Sequence, residues 1–97
     1  MARYIVLFNY TDQGIKNITE TIGRSEAVAK MAKKMGASAQ SFYWTSGAYD
    51  GVLMLDAPDD TTAAALLTKV GSLGNVHTHT LRAFDAAEMK AILAKAQ

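Results

Sequence analysis

The chain has no cysteine among its 97 residues. Disulfides, thiolate metal sites and cysteine nucleophiles are therefore excluded. Charge of one sign is equally absent: ten Lys and Arg face nine Asp and Glu, for a net charge of +1. That balance exerts no long-range pull on nucleic acid or an anionic membrane surface. The densest basic group, Lys30, Lys33 and Lys34, reads as the solvated side of a helix. No apolar run approaches membrane-spanning length, and no cationic leader precedes "Arg3-Tyr4-Ile5-Val6-Leu7-Phe8". A cytoplasmic protein that binds neither nucleic acid nor membrane is the expectation. Several catalytic signatures are also missing: the Gly-rich phosphate loop, the G-x-S-x-G elbow, H-E-x-x-H and the dinucleotide fingerprint.

What is present is apolar material. Hydrophobic residues make up 49% of the chain against 20% charged. That composition is globular, and the length fits one domain over residues 1–97. A body of this size buries roughly two-thirds of its unfolded surface, so its core is thin. Such an apolar load in so small a body suggests a covered subunit interface.

Tyr4 to Tyr10 is β-branched and aromatic and too short for a helix, as in a central strand. Thr11 or Asp12 offers a cap for the next helix. Residues 13–35 read as helical in two pieces. Gly14, Asn17 and Gly23 weaken the first, with Ile15, Ile18 and Ile22 on its buried side. Ser25 caps the second, whose stripe is Val28, Met31, Ala32 and Met35, and Gly36 terminates it. Ala39–Thr45 and Tyr49–Leu55 are strands, and Pro58 ends the second. Asp59 or Asp60 caps a helix running to about Ser72. Asn75–Phe84 is a fourth strand, and Asp85 caps a short terminal helix carrying Met89, Ile92 and Leu93.

The order β-α-β-β-α-β plus a terminal helix predicts an α+β, ferredoxin-like fold. Right-handed crossovers place both helices on one face of a four-stranded antiparallel sheet. The other face, with either Tyr4, Val6 and Phe8 or Ile5 and Leu7, is too apolar to meet water. A second copy of the chain covering it is the economical solution.

The segment "Phe42-Tyr43-Trp44-Thr45-Ser46-Gly47-Ala48-Tyr49-Asp50" is the densest in aromatics. A two-residue type II′ turn at Gly47-Ala48 sets Trp44 opposite Gly51 and Tyr43 opposite Val52. Period two then groups Phe42, Trp44 and Tyr49 on one face, and Tyr43, Thr45 and Asp50 on the other. Gly51 would leave room for the Trp44 indole. Structural roles account for Gly47, Trp44 and Tyr49. Asp50 is either a solvated edge acid or a partner-binding acid in a cleft.

His77 and His79 point the same way from one strand, so they could supply two positions of a metal site. A third ligand from Asp50, Asp56 or Glu20 would be needed; polar ligand contacts or a wet strand face are the alternatives. Arg82 is a candidate anchor for a carboxylate or phosphate, or else half of an exposed ion pair. Asn9, an amide in an apolar strand, needs a hydrogen-bond partner if buried.

Blocks along nearly the whole chain resemble the GYD domain family. They are "Tyr10-Thr11-Asp12-Gln13-Gly14-Ile15", the aromatic segment above, "Asp56-Ala57-Pro58-Asp59-Asp60", and "Gly71-Ser72-Leu73-Gly74-Asn75-Val76" followed by "Thr80-Leu81-Arg82-Ala83-Phe84". Gly47, Tyr49 and Asp50 fall at the residues that name the family, while the two histidines lie outside its pattern. The resemblance implies a dimeric α+β barrel in which two sheets close on each other.

Two functions fit these readings. In the first, a small aromatic or dicarbonyl-type molecule binds between sheet and helices. Asn9, Tyr43, Trp44, His77, His79 and Arg82 would be its contacts, and Asp50 or a histidine its base, with Tyr49 at a developing oxyanion. In the second, the protein is a non-catalytic oligomeric module. A metal-dependent enzyme using His77 and His79 is a weaker variant, and the residues name no cofactor.

Overall fold

A computed structural model describes residues 1–97. Its elements are β1 (Ala2–Tyr10), α1 (Asp12–Lys16), a 3-10 turn (Ile18–Glu20), α2 (Thr21–Lys34), β2 (Ser38–Trp44), β3 (Gly51–Ala57), α3 (Asp60–Ser72), β4 (Val76–Ala83) and α4 (Ala86–Lys95). The strands form one antiparallel sheet in the order β2-β3-β1-β4. This is the expected ferredoxin-like arrangement, with β1 at the centre beside β3.

Three expected caps form, two of them at one of a pair of neighbouring candidates. Thr11 accepts the Gly14 N–H, Asp59 accepts the Thr62 N–H, and Asp85 forms a capping box with Glu88. Gly36 takes φ +80° after α2, the left-handed geometry that favours glycine at a helix end.

Direct pairing across the strands sorts the side chains into two faces. On the helix side, Ala39, Leu55, Tyr4 and Arg82 form one row, and Phe42, Leu53, Val6 and Thr80 the next. Against these rows pack Ala32 of α2 and Ala63, Leu66 and Val70 of α3, with Val28, Met31 and Met35 at the margin. Leu55 and Leu66 are fully buried. Removing such a side chain from water contributes roughly 1.5–3 kcal/mol.

The first helical segment departs from its expected packing. Ile15, Ile18 and Ile22 are exposed, and Gly14 is buried instead. The Gly14 position lies against the carbonyl of Asn75, leaving no space for a Cβ. The 3-10 turn then changes the winding, so the spacing of three and four no longer aligns the isoleucines on one buried stripe. The longer helix also restarts at Thr21 rather than Ser25, whose hydroxyl donates to the Ile22 carbonyl at 2.6 Å.

The other sheet face has nothing against it. Its rows are Tyr43-Val52-Leu7-His79 and Ser41-Met54-Ile5-Leu81, followed by Ser38-Asp56-Arg3-Ala83. α4 follows from the end of β4 and buries none of its residues. It helps stretch the molecule to 50 × 31 × 19 Å. No helix is long and apolar enough to cross a membrane.

Candidate functional site

The link between β2 and β3 is wider than a two-residue turn. Strand pairing stops at Trp44 and Gly51, leaving residues 45–50 as an open loop with Gly47 at φ +140°. The Thr45 N–H donates to the Asp50 carbonyl at 2.9 Å, but the Asp50 N–H donates to Phe8 on β1, also at 2.9 Å. The Asp50 carboxylate completes the attachment, its Oδ2 accepting the Tyr10 N–H at 2.9 Å. A side-chain oxygen thus takes the place of a strand carbonyl and extends β1–β3 pairing by one bond.

This loop redistributes the aromatics. Tyr49 lies on the open face, its ring edge-on to His79 at 5.7 Å, and not beside Phe42 and Trp44. Strict alternation fails here because the loop interrupts the pleat before Tyr49. Trp44 stays on the helix side, 5.1 Å from the Phe42 ring, and its Nε1 donates to Thr21 Oγ1 at 3.0 Å. The space left by Gly51 is filled by the Phe8 ring rather than the indole. A Cβ there would collide with Phe8 Cζ.

The expected cleft residues therefore do not converge between sheet and helices. Asn9 pairs with His77, and Leu7 with His79, so both histidines share the open face with Tyr43 and Tyr49. Nowhere are three or more His, Asp or Glu side chains brought together as a metal site would need. Arg82 lies on the helix side, stacked 4.6 Å from the Phe84 ring and 5.6 Å from that of Tyr4. It donates to the carbonyls of Arg3 and Ala83 and pairs with Glu88 at 3.6 Å, which fastens the start of α4.

A cavity of about 90 Å³ does exist on the helix side, but other residues line it. Val6, Phe8 and Leu53 form its floor on the sheet, with Val28 of α2 and Leu67 of α3 above. Arg24, Thr21 and Tyr10 supply polar groups on its wall. The Tyr10 hydroxyl shares a 2.9 Å hydrogen bond with Thr21 Oγ1. The Arg24 Nη2 donates to the carbonyls of Gly14 and Asn17 at 3.2 and 2.7 Å. Its Nε and Nη1 are buried without any acceptor. The sequence held a signal for this residue: Arg24 stands four positions before Val28 and so continues the apolar stripe of α2 backwards.

Asp56 and Tyr4, on paired strands of the sheet, have perturbed acidity. The Arg3 guanidinium, 2.5 Å from Asp56, holds that carboxyl below its ordinary range. The Tyr4 phenol is raised chiefly by donating to the Asp60 carboxylate.

The fold and the two-sided site define a small ferredoxin-like α+β protein with one uncovered sheet face. The GYD domain model matches residues 4–93, and the chain belongs to that family. A protein of Thermus thermophilus named "Glutamine synthetase and cystathionine beta-lyase binding protein" is 31% identical over 94 residues, covering 96% of this chain and 99% of that protein. The crystal structure of TTHA0845 from Thermus thermophilus matches with a TM-score of 0.64 at 25% identity. That match covers 89% of this chain and 96% of the solved one.

Proposed function

We propose that this chain is a non-catalytic, homo-oligomeric protein-binding module. The observation that carries the proposal is the uncovered sheet face. Ile5, Leu7, Val52 and Met54 lie at its centre, Leu81 on the edge strand is 51% exposed, and α4, which follows β4, exposes Met89, Ile92 and Leu93. Apolar surface of this continuity marks an interaction site. A second copy covers the sheet face in this reading, forming the closed α+β barrel that the topology allows.

The relative's printed name supports a role in binding other proteins. On this reading the partners are the organism's own glutamine synthetase and cystathionine beta-lyase. Ile15, Ile18 and Ile22, exposed around the 3-10 turn, provide further apolar surface for such contacts. The Asp50 carboxylate has a structural role in this reading, its Oδ2 accepting the Tyr10 N–H.

Light scattering on the purified chain, followed by co-elution with each purified enzyme, tests the proposal. A dimer that co-elutes with either enzyme is expected. A chain that stays monomeric at every concentration and co-elutes with neither overturns it.

A further inference from the structure

We infer that His77 and His79 make closure of the sheet face pH-sensitive: two copies hold together at neutral pH and part as the imidazoles protonate. This inference rests on the proposed covering of that face by a second copy.

The placement of the two side chains carries it. His79 ends the row Tyr43-Val52-Leu7-His79, directly opposite Leu7, and His77 lies one row further, opposite Asn9. Leu81, two residues on, continues the same face opposite Ile5. A surface that covers both Leu7 and Leu81 therefore reaches the His79 imidazole beside them, with His77 next on the strand. In the single chain both histidines are exposed, so water solvates either charge state.

Nothing nearby compensates a positive charge. The chain's ion pairs are Arg3–Asp56 and Arg82–Glu88, so no carboxylate stands within 4.0 Å of either imidazole. Tyr49 meets His79 only through its ring, at 5.7 Å. The hollow beside both histidines is lined by Asn9, Thr11, Gly71, Gly74, Val76 and Thr78, none of them charged. The other titratable groups lie apart. Tyr43 is at the far end of the His79 row, and Arg3 and Asp56 pair with each other two rows away. Asp85 and Glu88 border the opposite end of the face, beside Ala83, and Asp50 is engaged by the Tyr10 N–H. A second copy related by a two-fold axis brings the same set of groups.

Histidine is the side chain that changes charge between about pH 5 and 8. Sealed against an apolar partner it is favoured in the neutral form, because a buried cation without a counter-charge is costly. The sign follows: the face stays covered above the histidine range and opens as pH falls through it. Each imidazole whose protonation is opposed by one pH unit weakens association by up to about tenfold. With two from each copy, the dissociation constant should rise about a hundredfold between roughly pH 8 and pH 5.5. The fold of each copy should persist there, since Asp56 and Asp59 lose their contributions only below 3.8.

The test is sedimentation of the intact chain at about pH 8 and pH 5.5, with the double variant His77→Gln/His79→Gln in parallel. Circular dichroism at each pH reports the fold. The parent should be a dimer at the higher pH and dissociate at the lower with an unchanged spectrum, while the double variant stays dimeric at both. A parent as tightly dimeric at the lower pH, or more so, overturns the switch and leaves the covered face standing. A double variant that dissociates just as the parent does removes the imidazoles as the cause. A parent monomeric at the higher pH overturns the covering itself, and the switch with it.

Discussion

Asp50 and Tyr10 are joined by a side-chain-to-backbone hydrogen bond of 2.9 Å, formed where the β2–β3 loop meets the end of the central strand. The Asp50 N–H reaches Phe8 on the same strand, so one residue clamps two successive points of β1. The requirement is for an oxygen acceptor rather than a negative charge. Asp50→Ala should therefore cost about 1–3 kcal/mol, the penalty of an unsatisfied strand N–H. Asp50→Asn, which keeps an amide oxygen, should cost distinctly less. Urea denaturation of both variants checks the order; equal losses would sink the clamp.

Gly51 and Phe8 make a second such pair. The Phe8 ring occupies the space above Gly51, with Cζ and Cε2 well inside contact distance of where a Cβ would stand. Gly51→Ala should destabilise the protein by about 1–3 kcal/mol through overpacking. Phe8→Leu should relieve much of that clash, so the double variant should lose less than the sum of the single losses. A double-mutant cycle measured by denaturation decides. Strict additivity would mean that the ring is not what the methyl strikes.

These two pairs show where sequence reasoning reached its limit. The two-residue turn from which the β2–β3 register was expected is absent, yet the pairings it implied, Trp44 with Gly51 and Tyr43 with Val52, are present. Alternation identifies only the partner strand next door, however. Phe8 reaches Gly51 from the other neighbour, β1, whose register with β3 depends on tertiary closure. Tyr49 moved to the open face for a related reason: Asp50 pairs with β1, and the loop widens accordingly. Caps at Thr11, Asp59 and Asp85 were legible because each acts within three residues. The spacing of Arg24 to Val28 was readable, but its contacts were not, because the carbonyls of Gly14 and Asn17 that it meets are set by the break between α1 and α2.

Stability should fall at both ends of the pH scale for different reasons. Asp56 is depressed first by its hydrogen bond from Arg3, and Asp59 first by the Thr62 backbone N–H. A lowered folded value means stability present above the ordinary value of 3.8 and lost as pH falls through the depressed value. The Arg3 pair is well exposed, so its share is modest. Tyr4 is raised, so its contribution is fully present below the ordinary value of 10.0 and is lost as pH climbs from there through the raised value. Denaturation midpoints across pH should show an acid limb that Asp59→Asn flattens and an alkaline limb that Tyr4→Phe flattens. An alkaline limb unchanged in Tyr4→Phe would remove the Tyr4–Asp60 bond from the explanation.

Leu81 offers the sharpest test of assembly. It sits on edge strand β4 opposite Ile5, in the row that runs through Met54 to Ser41. Its side chain is 51% exposed in the single chain, so a charge placed there meets water and should leave the monomer's fold intact. Between two facing sheets the same charge would be buried without a partner, at a cost large enough to separate the copies. Leu81→Asp should therefore elute and scatter as a monomer with an unchanged circular dichroism spectrum, while the parent chain scatters as a dimer. Lys in place of Asp should act alike, because burial rather than sign is at issue. If both charged variants remain dimeric, the copies meet through some surface other than the sheet, and the α4 stripe of Met89, Ile92 and Leu93 becomes the place to substitute next.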